Sequence, residues 1–508
     1  MKSLLQFISR QTWLLPPIFL SVSFVLSVYQ QNMTQLELPI LVAPLAIVIL
    51  TALLFSVICI PLIRNTYKRT IFLSFFVIII FSYSDFLFFI HRFKFIDIGT
   101  GSFLLQVWLL LIVIFFLFIT KVKKNLIVVN KFVFLFSVLA VLFPLFGIAK
   151  FEISERFNQP IISSSLELPL ANKTLVSEDL PDIYFIVPDS YGSPDVFKNY
   201  YNFDNSEFVN FLKKQGFYVP SSHLSNYPKT FLSLASTLNM EYVDYLSVYK
   251  NSSDVSIVSP LFIGSNVEKF LKSNNYTYYQ MGSWWEFTGY NPQADVNIVY
   301  KQRVITRAKL FNYAIIQSTI LQPVSALVTK DLLLNFVGDA RNFTSFQFEQ
   351  LPKTVNLPGP KFVFTHILSP HTPYVFGKDC ESVINNTFDK AHEVENYINQ
   401  VQCINKKLIT TIEAIQKNSK KPPVIIIQSD EGPPFLRTRL PEEDSWKDAS
   451  DDLLKQKMPV FAAYYLPGVP QAELTSFSSS VNIFRKVFNS YFKTDFKGFI
   501  LIVCREFN

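Results

Sequence analysis

The sequence lacks any stretch in which basic residues are interleaved with aromatic ones, as they are on many nucleic-acid-binding surfaces. The formal net charge of the 508-residue chain is only +7, and part of it comes from short loops between apolar stretches. A charge of this size, without a basic stripe, gives no support for binding to DNA or RNA. The sequence therefore predicts that nucleic acid is not a partner.

A cleavage site for a signal peptidase is also missing. The first apolar stretch follows Lys2 and Arg10, as the core of a signal peptide would. The segment QQNMTQ after Tyr29, however, offers none of the small residues at which a signal peptide is cut. We therefore predict that this stretch is retained as a helix.

Hydrophobic residues, in contrast, are abundant. They make up 50% of the chain and include 52 phenylalanines, which is too apolar for an ordinary soluble protein. Almost all of this excess precedes Lys150, in five stretches that each approach or exceed the roughly 20 residues needed to cross a bilayer. The five predicted membrane helices are Trp13 to Tyr29, Leu38 to Ile63, Ile71 to Ile90, Phe103 to Thr120 and Phe132 to Ala149.

Basic residues in the connecting loops predict the orientation of these helices. The N-terminal segment and the loops after the second and fourth helices together hold nine Lys and Arg residues, whereas the opposite loops hold only Arg92 and Lys94. Because positively charged loops stay in the cytoplasm, the N-terminus is expected there and everything after Ala149 outside. The sequence thus predicts a multi-pass protein of the cell (inner) membrane with an extracytoplasmic C-terminal domain.

The remainder of the chain alternates strand-like and helix-like segments. Residues 150–180 are polar and Ser-rich without sustained periodicity, which indicates a linker. From Pro181 onward, apolar runs such as IYFIV and VIIIQ alternate with helical patterns, which is typical of an α/β domain with a mostly parallel central sheet. The predicted domains are a five-helix transmembrane domain over 1–149, the linker over 150–180 and an exported α/β domain over 181–508.

Cysteine is scarce, with four residues in the whole chain. Cys59 lies within a predicted membrane helix and Cys504 near the end, whereas Cys380 and Cys403 lie in the predicted exported domain. An oxidising compartment permits a disulfide between the latter two, but their spacing in sequence leaves the pairing open.

Four segments of the exported domain carry side chains that suit one catalytic site. Two predicted parallel strands end in acids, Asp189 after the first and the adjacent Asp430 and Glu431 after a later one, where metal ligands are commonly presented. Thr230 opens an apolar helical run, and a helix N-terminus offers free N–H groups to a phosphoryl oxygen. His371, between two prolines, suits a residue that hydrogen-bonds the substrate or protonates a leaving group. Each feature alone also fits a simple cap, turn or surface position, so their joint occurrence carries the prediction.

The set of segments resembles the alkaline phosphatase superfamily. Within that superfamily it resembles the sulfatase-like membrane hydrolases and transferases, which include lipoteichoic acid synthases and phosphoethanolamine transferases. The likeness covers Pro181 to about Phe492, and five helices before an exported domain is also the lipoteichoic acid synthase arrangement. The resemblance implies an alkaline phosphatase-like fold for the exported domain.

The resemblance also implies roles for particular residues. In that family an acid after the first strand, a nucleophilic Thr or Ser that opens a helix, and an Asp-His pair after a late strand bind the metal. Asp189, Thr230 and Asp430 match these positions, and His371 in PHTPY matches the histidine that contacts the substrate. Glu431 departs from the pattern, because the family usually has His there.

This departure changes the expected metal and opens an alternative. With Glu431 in place of imidazole, the expected ligands Asp189, Thr230, Asp430 and Glu431 are all oxygen donors, which favours Mn²⁺ or Mg²⁺ over Zn²⁺. A divalent metal is therefore the predicted cofactor. The same departure is also compatible with a degenerate site, in a non-catalytic surface protein that binds polysaccharide or a partner.

The activity that the resemblance implies is phosphoester chemistry at the membrane. Sulfatases of the superfamily mature a Cys or Ser in a C/S-x-P-x-R context to their nucleophile, and neither the Thr230 region nor any cysteine has that context. The expected enzyme is a membrane-anchored metal-dependent phosphotransferase or phosphodiesterase with a phospho-threonine intermediate at Thr230. It would move a phosphoglycerol-type or phosphoethanolamine-type head group from a membrane lipid to a cell-surface glycan, a lipid or water.

Further residues are candidates to shape the substrate pocket. Trp284, Trp285 and Tyr374 are expected to contact the substrate, although core packing is the simpler role for the two tryptophans. His366 and Tyr374 flank His371 and are expected to support it. The remaining histidines of the domain are expected on the surface: His223 and His392.

Overall fold

The computed structural model describes residues 14–33, 36–93, 101–156, 164, 166–169, 180–249, 255–301, 307–383, 392–433, 446, 449–474 and 479–499. The chain divides into two compact units. We call Met1–Pro160 together with Ile305–Leu333 the helical unit, and Ile161–Val304 together with Leu334–Asn508 the sheet unit.

Helices form at all five apolar stretches of the N-terminal part. Among the described residues, four of them are long and apolar enough to cross a membrane, and the first is not. The predicted number of five spans is therefore reduced to four. The physical reason is composition, because the first helix contains three serines and ends in Gln-Gln-Asn. The helices are α1 (Leu15–Asn32), α2 (Val42–Ile58), α3 (Thr66–Phe93), α4 (Gly101–Lys121) and α5 (Ile127–Lys150).

The first helix forms part of the core of the helical unit. It packs against α2, α3 and α5, and Val25 and Tyr29 on it are fully buried. Protein side chains, rather than lipid, therefore surround much of α1, which explains why it can carry serines. The hydroxyl groups of Ser21 and Ser23 donate to carbonyl groups of the preceding turn, at 2.9 and 2.8 Å.

The described residues of the sheet unit form one six-stranded sheet. Its strands are β1 (Ile183–Pro188), β2 (Thr277–Met281), β3 (Val296–Ile298), β4 (Lys361–Ile367), β5 (Val424–Gln428) and β6 (Ala462–Tyr465). Their order is β3-β2-β4-β1-β5-β6, and all neighbours are parallel except β5 and β6. The predicted α/β fold with a mostly parallel sheet is confirmed. The remaining helices are α6 (Pro194–Tyr201), α7 (Ser206–Lys214), α8 (Thr230–Asn239), α9 (Ser259–Phe262), α10 (Asn266–Ser273), α11 (Glu286–Gly289), α12 (Arg307–Gln317), α13 (Gln322–Gln350), α14 (Glu393–Asn418), α15 (Asp451–Lys457) and α16 (Ile483–Phe492).

Strand β1 occupies the centre of the sheet, and every residue in it is buried. Ile183, Phe185 and Val187 join a hydrophobic cluster with side chains of α8 and α16. Tyr184 and Ile186, which point to the opposite face, join a second cluster with side chains of α14. Helices thus cover both faces, as expected for a parallel sheet. This arrangement aligns the carboxyl ends of β4, β1 and β5 along one edge.

A disulfide joins Cys380, in the loop region after β4, to Cys403 on α14. The pairing that the sequence leaves open is therefore present. Among the described residues, Cys59 is the free cysteine, and it is buried in the helical unit. Cys504 and most of the predicted linker lie outside the described residues.

A segment inserted between β3 and β4 belongs to the helical unit. Helices α12 and α13 meet at a turn over residues 318–321. Phe311 on α12 packs edge-to-face against Tyr29 on α1, with 6.1 Å between ring centroids. The N–H of Ile320 donates to the carbonyl of Ile80 on α3 at 2.8 Å. The sequence analysis did not foresee this insertion, and the predicted domain bounds stay predictions.

Candidate functional site

Three neighbouring parallel strands each deliver polar residues to one edge of the sheet. Asp189 follows β1, the segment with His371 follows β4, and Asp430 and Glu431 follow β5. The N–H of Asp189 donates to the carbonyl of Ile367 at 2.9 Å, which continues the ladder between β1 and β4 by one residue. Ligands bind at the carboxyl edge in folds of this kind. The structure thus brings these four predicted site residues together.

Ser190 connects the three acids. Its N–H donates to Asp430 Oδ1 at 3.3 Å. Its hydroxyl lies 2.9 Å from Asp189 Oδ1 and 3.1 Å from Glu431 Oε1. The backbone of Ser190 has a φ of 61°, which is costly for a residue other than glycine. The carbonyl of Ser190 accepts a hydrogen bond from Tyr397 Oη at 2.7 Å, which helps to hold this conformation.

His366 completes a buried group with two of the acids. It lies on β4 with no exposed surface. Its Nε2 is 3.6 Å from Asp189 Oδ2 and 4.0 Å from Asp430 Oδ2. Its Nδ1 is 2.9 Å from the hydroxyl of Thr288, which fixes the orientation of the ring. Sequence analysis assigned His366 only a supporting role.

The same group of atoms fits a divalent cation. Neither His366 Nε2 nor Asp430 Oδ2 has a hydrogen-bond partner, although both atoms are buried. One ligand atom each from Asp189, His366 and Asp430 lies within 4.8 Å of the others. Buried polar atoms are normally paired, and a cation between these atoms would satisfy both. The all-oxygen ligand set expected from the sequence does not include His366, whose Nε2 lies among the acids of this group.

The electrostatics of the site also favour a cation. Burial raises the pKa of Asp189 well above its usual value, and the charges of Asp430 and Glu431 raise it further. Burial, followed by the charge of Glu431, also raises the pKa of Asp430. Burial lowers the pKa of His366 to about 3, so that its ring is neutral and keeps a lone pair. Buried acids that repel one another in this way are stabilised by a bound positive charge.

Thr230 reaches the site as the first residue of α8. The residue before it, Lys229, occupies the N-cap position in an extended conformation, and no side chain caps this helix. The simple alternative, that Thr230 is an N-cap, is therefore wrong. The side chain of Thr230 instead lies close enough to Asp430 to lower the pKa of that carboxyl group, and it lines the same cavity as Asp189 and Glu431. Thr230 thus has a hydroxyl at the metal group and the free N–H groups of a helix N-terminus beside it.

Glu431 has a partner that the sequence analysis missed. Its Oε1 accepts a hydrogen bond from Lys457 Nζ at 2.6 Å, and both side chains are largely buried. Lys457 is the last residue of α15, and its Nζ also donates to the carbonyl of Gly432 at 3.0 Å. A Cβ at Gly432 would lie 2.2 Å from the backbone oxygen of Lys457, so only glycine permits this approach.

Glu431 also has an oxygen within 4.8 Å of ligand atoms of Asp189 and His371. Asp189, His371 and Glu431 thus form a second group of possible metal ligands, and the ammonium group of Lys457 supplies positive charge beside it.

The Glu431 and Lys457 pair predicts a coupled effect on stability. Lys457→Met leaves a buried carboxylate without its partner, and we expect the free energy of unfolding to fall by about 3 kcal/mol. The double variant Lys457→Met, Glu431→Gln should lose clearly less, because neither charge remains. Thermal unfolding of the full-length protein in detergent measures this, with Lys455→Met on the exposed side of the same helix as control. Equal losses in the single and double variants would contradict the pairing.

A cavity of about 470 Å³ lies over these groups. Trp284 and Trp285 line it and also pack against hydrophobic clusters, so both roles considered for them stay open. Trp446, which was not identified from the sequence, lines it too. Tyr374 is not in its lining, because that side chain is buried in the core cluster with Tyr397. The cavity therefore combines charged groups with aromatic walls. Its lining is Asp189, Pro228, Lys229, Thr230, Phe231, Trp284, Trp285, Leu368, His371, Glu431, Trp446 and Lys457.

His371 lines the cavity with one ring nitrogen already engaged. Its Nδ1 donates to the carbonyl of Thr372 at 2.7 Å. Burial lowers the pKa of His371, which favours the neutral ring. A neutral ring with a proton on Nδ1 carries its lone pair on Nε2, so it is equipped to accept a proton. The expected role of proton donor to a leaving group fits this state less well.

His223 corrects another expectation. The sequence analysis assigned it to the surface, but its side chain is 1% exposed. Its Nε2 lies 3.2 Å from the hydroxyl of Ser480, and its ring packs edge-on against Tyr464. The polar sequence around it, SSHLSN, gave no sign that the segment is covered by other parts of the unit. His392 is exposed, as expected.

A family model described as Sulfatase matches residues 181–474, which is more than half of the chain. The matched region contains all the groups of the site, from Asp189 to Lys457. No curated protein sequence matches the chain significantly.

The chain is also similar to solved structures that share little sequence with it. The integral membrane protein lipooligosaccharide phosphoethanolamine transferase A from Neisseria meningitidis is 13% identical, with a TM-score of 0.44 and coverage of 95% of both chains. The C-terminal periplasmic domain of EptC from Escherichia coli, in complex with zinc, is 12% identical with a TM-score of 0.42. That match covers 64% of this chain and 86% of the other. A protein in the alkaline phosphatase superfamily from Vibrio parahaemolyticus is 12% identical, with a TM-score of 0.38 and coverage of 61% and 66%.

Proposed function

This chain belongs to the sulfatase family, and we propose that it is a membrane-anchored, metal-dependent phosphotransferase that moves a phospho-head group from a membrane lipid to an acceptor. The observation that carries the proposal is that Thr230, the first residue of α8, lines one cavity with Asp189 and Glu431, beside the buried and unpartnered Nε2 of His366. A hydroxyl nucleophile and a metal-binding group thus share one edge of the sheet. Thr230, rather than a Cys or Ser in the C/S-x-P-x-R context, supports phosphoester and not sulfate-ester chemistry.

We propose that Asp189, Asp430, His366 and the hydroxyl of Thr230 hold the cation. A bound divalent ion lowers the pKa of a hydroxyl and offsets charge on phosphoryl oxygens. A ligand set of carboxylates with one imidazole suits Zn²⁺ as well as Mn²⁺. The preference for Mn²⁺ or Mg²⁺ depended on an all-oxygen set and is not retained in this proposal.

In the first half of the reaction, Thr230 Oγ attacks the phosphorus of the lipid head group. A bond forms between Oγ and phosphorus, and the bond from phosphorus to the glycerol oxygen of the lipid breaks. The proton of Thr230 passes to the neighbouring carboxylate of Asp430, and the departing glycerol oxygen takes a proton from water and leaves hydroxide. The product of this half is a phospho-threonine ester and a diacylglycerol.

In the second half, a hydroxyl group of the acceptor attacks the phospho-threonine. His371 Nε2 carries a lone pair in the neutral ring and takes the proton of that hydroxyl. Lys457, which lines the cavity, supplies positive charge next to the phosphoryl oxygens. The bond from phosphorus to Thr230 breaks, and the threonine recovers its proton from Asp430. His371 then gives its proton to the hydroxide left by the first half, so that both residues return to their starting states.

The proposed donor is a membrane phospholipid with a phosphoglycerol or phosphoethanolamine head group, and the proposed acceptor is a cell-surface glycan, a lipid or water. The four candidate membrane spans found among the described residues support a lipid donor. The disulfide between Cys380 and Cys403 supports an oxidising, extracytoplasmic location for the sheet unit. The aromatic walls formed by Trp284 and Trp285 are proposed to contact the head group.

The proposal is tested with the full-length protein in vesicles of phosphatidylglycerol and phosphatidylethanolamine whose head groups carry distinct isotopic labels. We expect one label to leave the lipid, and we expect diacylglycerol to appear with it in equal amount. Removal of divalent metal with a chelator should stop both, and added Zn²⁺ or Mn²⁺ should restore them. Vesicles in which neither label is released at any metal concentration would favour the non-catalytic alternative.

A further inference from the structure

The helical unit encloses a second cavity that the proposed chemistry does not use. It has a volume of about 470 Å³ and lies between α1, α2, α3, α4 and the end of α12 with the turn that follows. Its lining is Pro17, Ser21, Val48, Thr51, Ala52, Phe55, Leu73, Phe76, Val77, Ile80, Phe81, Leu109, Ile112, Ile315, Ile316, Thr319, Ile320 and Leu321.

The depth of this cavity follows from its position along α3. The turn after α12 is bonded to α3 at Ile80, which lies within the candidate span Thr66–Leu87. Ile80 is about 21 Å along the helix axis from the first residue of that span, at 1.5 Å per residue. The cavity therefore lies at the depth of the hydrocarbon layer.

The inserted turn is suited to this depth because its polar groups are satisfied within the protein. Thr319 Oγ1 donates to the carbonyl of Ile316 at 2.8 Å and accepts from the N–H of Leu321 at 3.1 Å. The carbonyl of Gln317 accepts a hydrogen bond from the hydroxyl of Ser84 on α3. Irregular backbone persists in a membrane only when it is buried and paired in this way. The insertion is thus a stable wall of the cavity.

The lining selects an apolar occupant. It contains no charged residue, and the hydroxyl group of Ser21 is already bonded to the carbonyl of Pro17 at 2.9 Å. Along α3 the lining extends from Leu73 to Phe81, about 12 Å at 1.5 Å per residue. The lining therefore extends along the membrane helices, the direction in which lipid acyl chains also lie.

Access to the cavity is from the surface of the helical unit. Three of its lining residues, Phe55, Leu109 and Leu321, are 39%, 51% and 52% exposed. In a membrane, the molecules in contact with such a surface are lipids. An apolar space of this volume left empty would cost stability, whereas a hydrocarbon chain would fill it.

We propose that this cavity binds one acyl chain of a membrane phospholipid, with the inserted turn as one wall. The proposal does not depend on the phosphotransferase activity, because it concerns only hydrocarbon packing within the helical unit. A protein that lacked the proposed activity would still bind the chain.

The test uses the full-length protein in phosphatidylglycerol vesicles that contain a trace of phosphatidylcholine with a diazirine in the middle of one acyl chain. After irradiation, mass spectrometry of peptides locates the adducts. We expect adducts on the cavity-facing residues of α3, such as Leu73 and Val77, and on Ile315 and Ile316. Adducts confined to outward-facing residues would overturn the proposal.

Variants that fill the cavity provide a second test. Thr51→Trp and Ile316→Trp occupy the space, and each should lower the adduct yield at Leu73 and Val77 at least about fivefold, equivalent to about 1 kcal/mol. Leu142→Trp on α5 is the matched control, because it adds the same side chain at a residue that is 53% exposed and outside the lining. The thermal stability of each variant shows that it is folded. Unchanged yields in both folded cavity variants would also overturn the proposal.

Discussion

Thr230→Ala is expected to lower kcat for head-group transfer at least about 10³-fold, because the variant has no hydroxyl to form the covalent intermediate. The loss should affect kcat much more than the apparent affinity for lipid vesicles. Thr230→Ser should keep measurable activity, since it retains an oxygen nucleophile at the first position of α8. The measurement is release of labelled head group by the full-length protein under multiple-turnover conditions.

A control within the same helix separates catalysis from folding. Thr237 lies two turns further along α8, is 1% exposed, and its hydroxyl donates to the carbonyl of Ser233 at 2.9 Å. Thr237→Ala therefore removes a buried hydroxyl from α8 without touching the site, and we expect near-normal kcat. If Thr230→Ala retained the activity of the unmodified protein, the enzyme would use another nucleophile and the proposed mechanism would be wrong.

His366→Ala is expected to weaken binding of the divalent metal at least about 100-fold, because it removes the proposed nitrogen ligand and leaves the two acids to repel each other. Asp430→Asn should have a similar effect. Metal affinity is measured directly by competition with a chelating dye, and the metal retained after dialysis is measured by elemental analysis. Both readouts are independent of activity.

His371→Ala provides the contrast. His371 lines the cavity, but the proposed ligands are Asp189, Asp430, His366 and Thr230. We therefore expect His371→Ala to keep its metal and to lose transfer to the acceptor. The opposite pattern, with metal lost in His371→Ala and kept in His366→Ala, would contradict the proposed ligands. It would indicate that the metal binds at Asp189, His371 and Glu431 instead.

The sequence predicted the parts of the fold that depend on local pattern. The β-branched run at Val424–Gln428 and the apolar run at Ile183–Pro188 became neighbouring strands, with acids beyond their ends. A parallel sheet converts that local feature into a site, because strands far apart in sequence end at the same edge. The candidate residues Asp189, Thr230 and Asp430 were therefore accessible to sequence reasoning.

The remaining parts depend on packing between distant segments. His366 looked like a companion of His371, and only the register of β4 beside β1 shows that its ring faces Asp189 and Asp430. The spacing of two histidines near the end of a strand was the available signal. Lys457 gave no signal, since more than 20 residues of sequence separate its helix from β5.

The insertion between β3 and β4 could not be predicted from the local sequence pattern either. Its sequence, FNYAIIQSTIL, is apolar in short runs but far shorter than the roughly 20 residues of a membrane span. Nothing in it indicates that the turn pairs with Ile80. Its contacts with the membrane helices are non-local, and they also explain why α1 can be less apolar than its neighbours.

We propose that two residues together account for Glu431, which stands where the family that the sequence resembles usually has histidine. His366 offers the imidazole nitrogen that the replacement removed, and Lys457 compensates for the added negative charge. In the proposed site, the departure from the family pattern rearranges the metal ligands and does not remove them. In the proposed mechanism, Thr230 is the residue that carries the transferred phospho-head group.

Peptide mass spectrometry of Thr230 is the most direct measurement of that claim. The full-length protein is incubated with phospholipid vesicles and divalent metal, quenched in acid and digested. We expect the peptide that contains Thr230 to gain the mass of one phospho-head group, and the added mass identifies that group. An unmodified Thr230 while head group is being released, or an adduct on a different residue, would contradict the account.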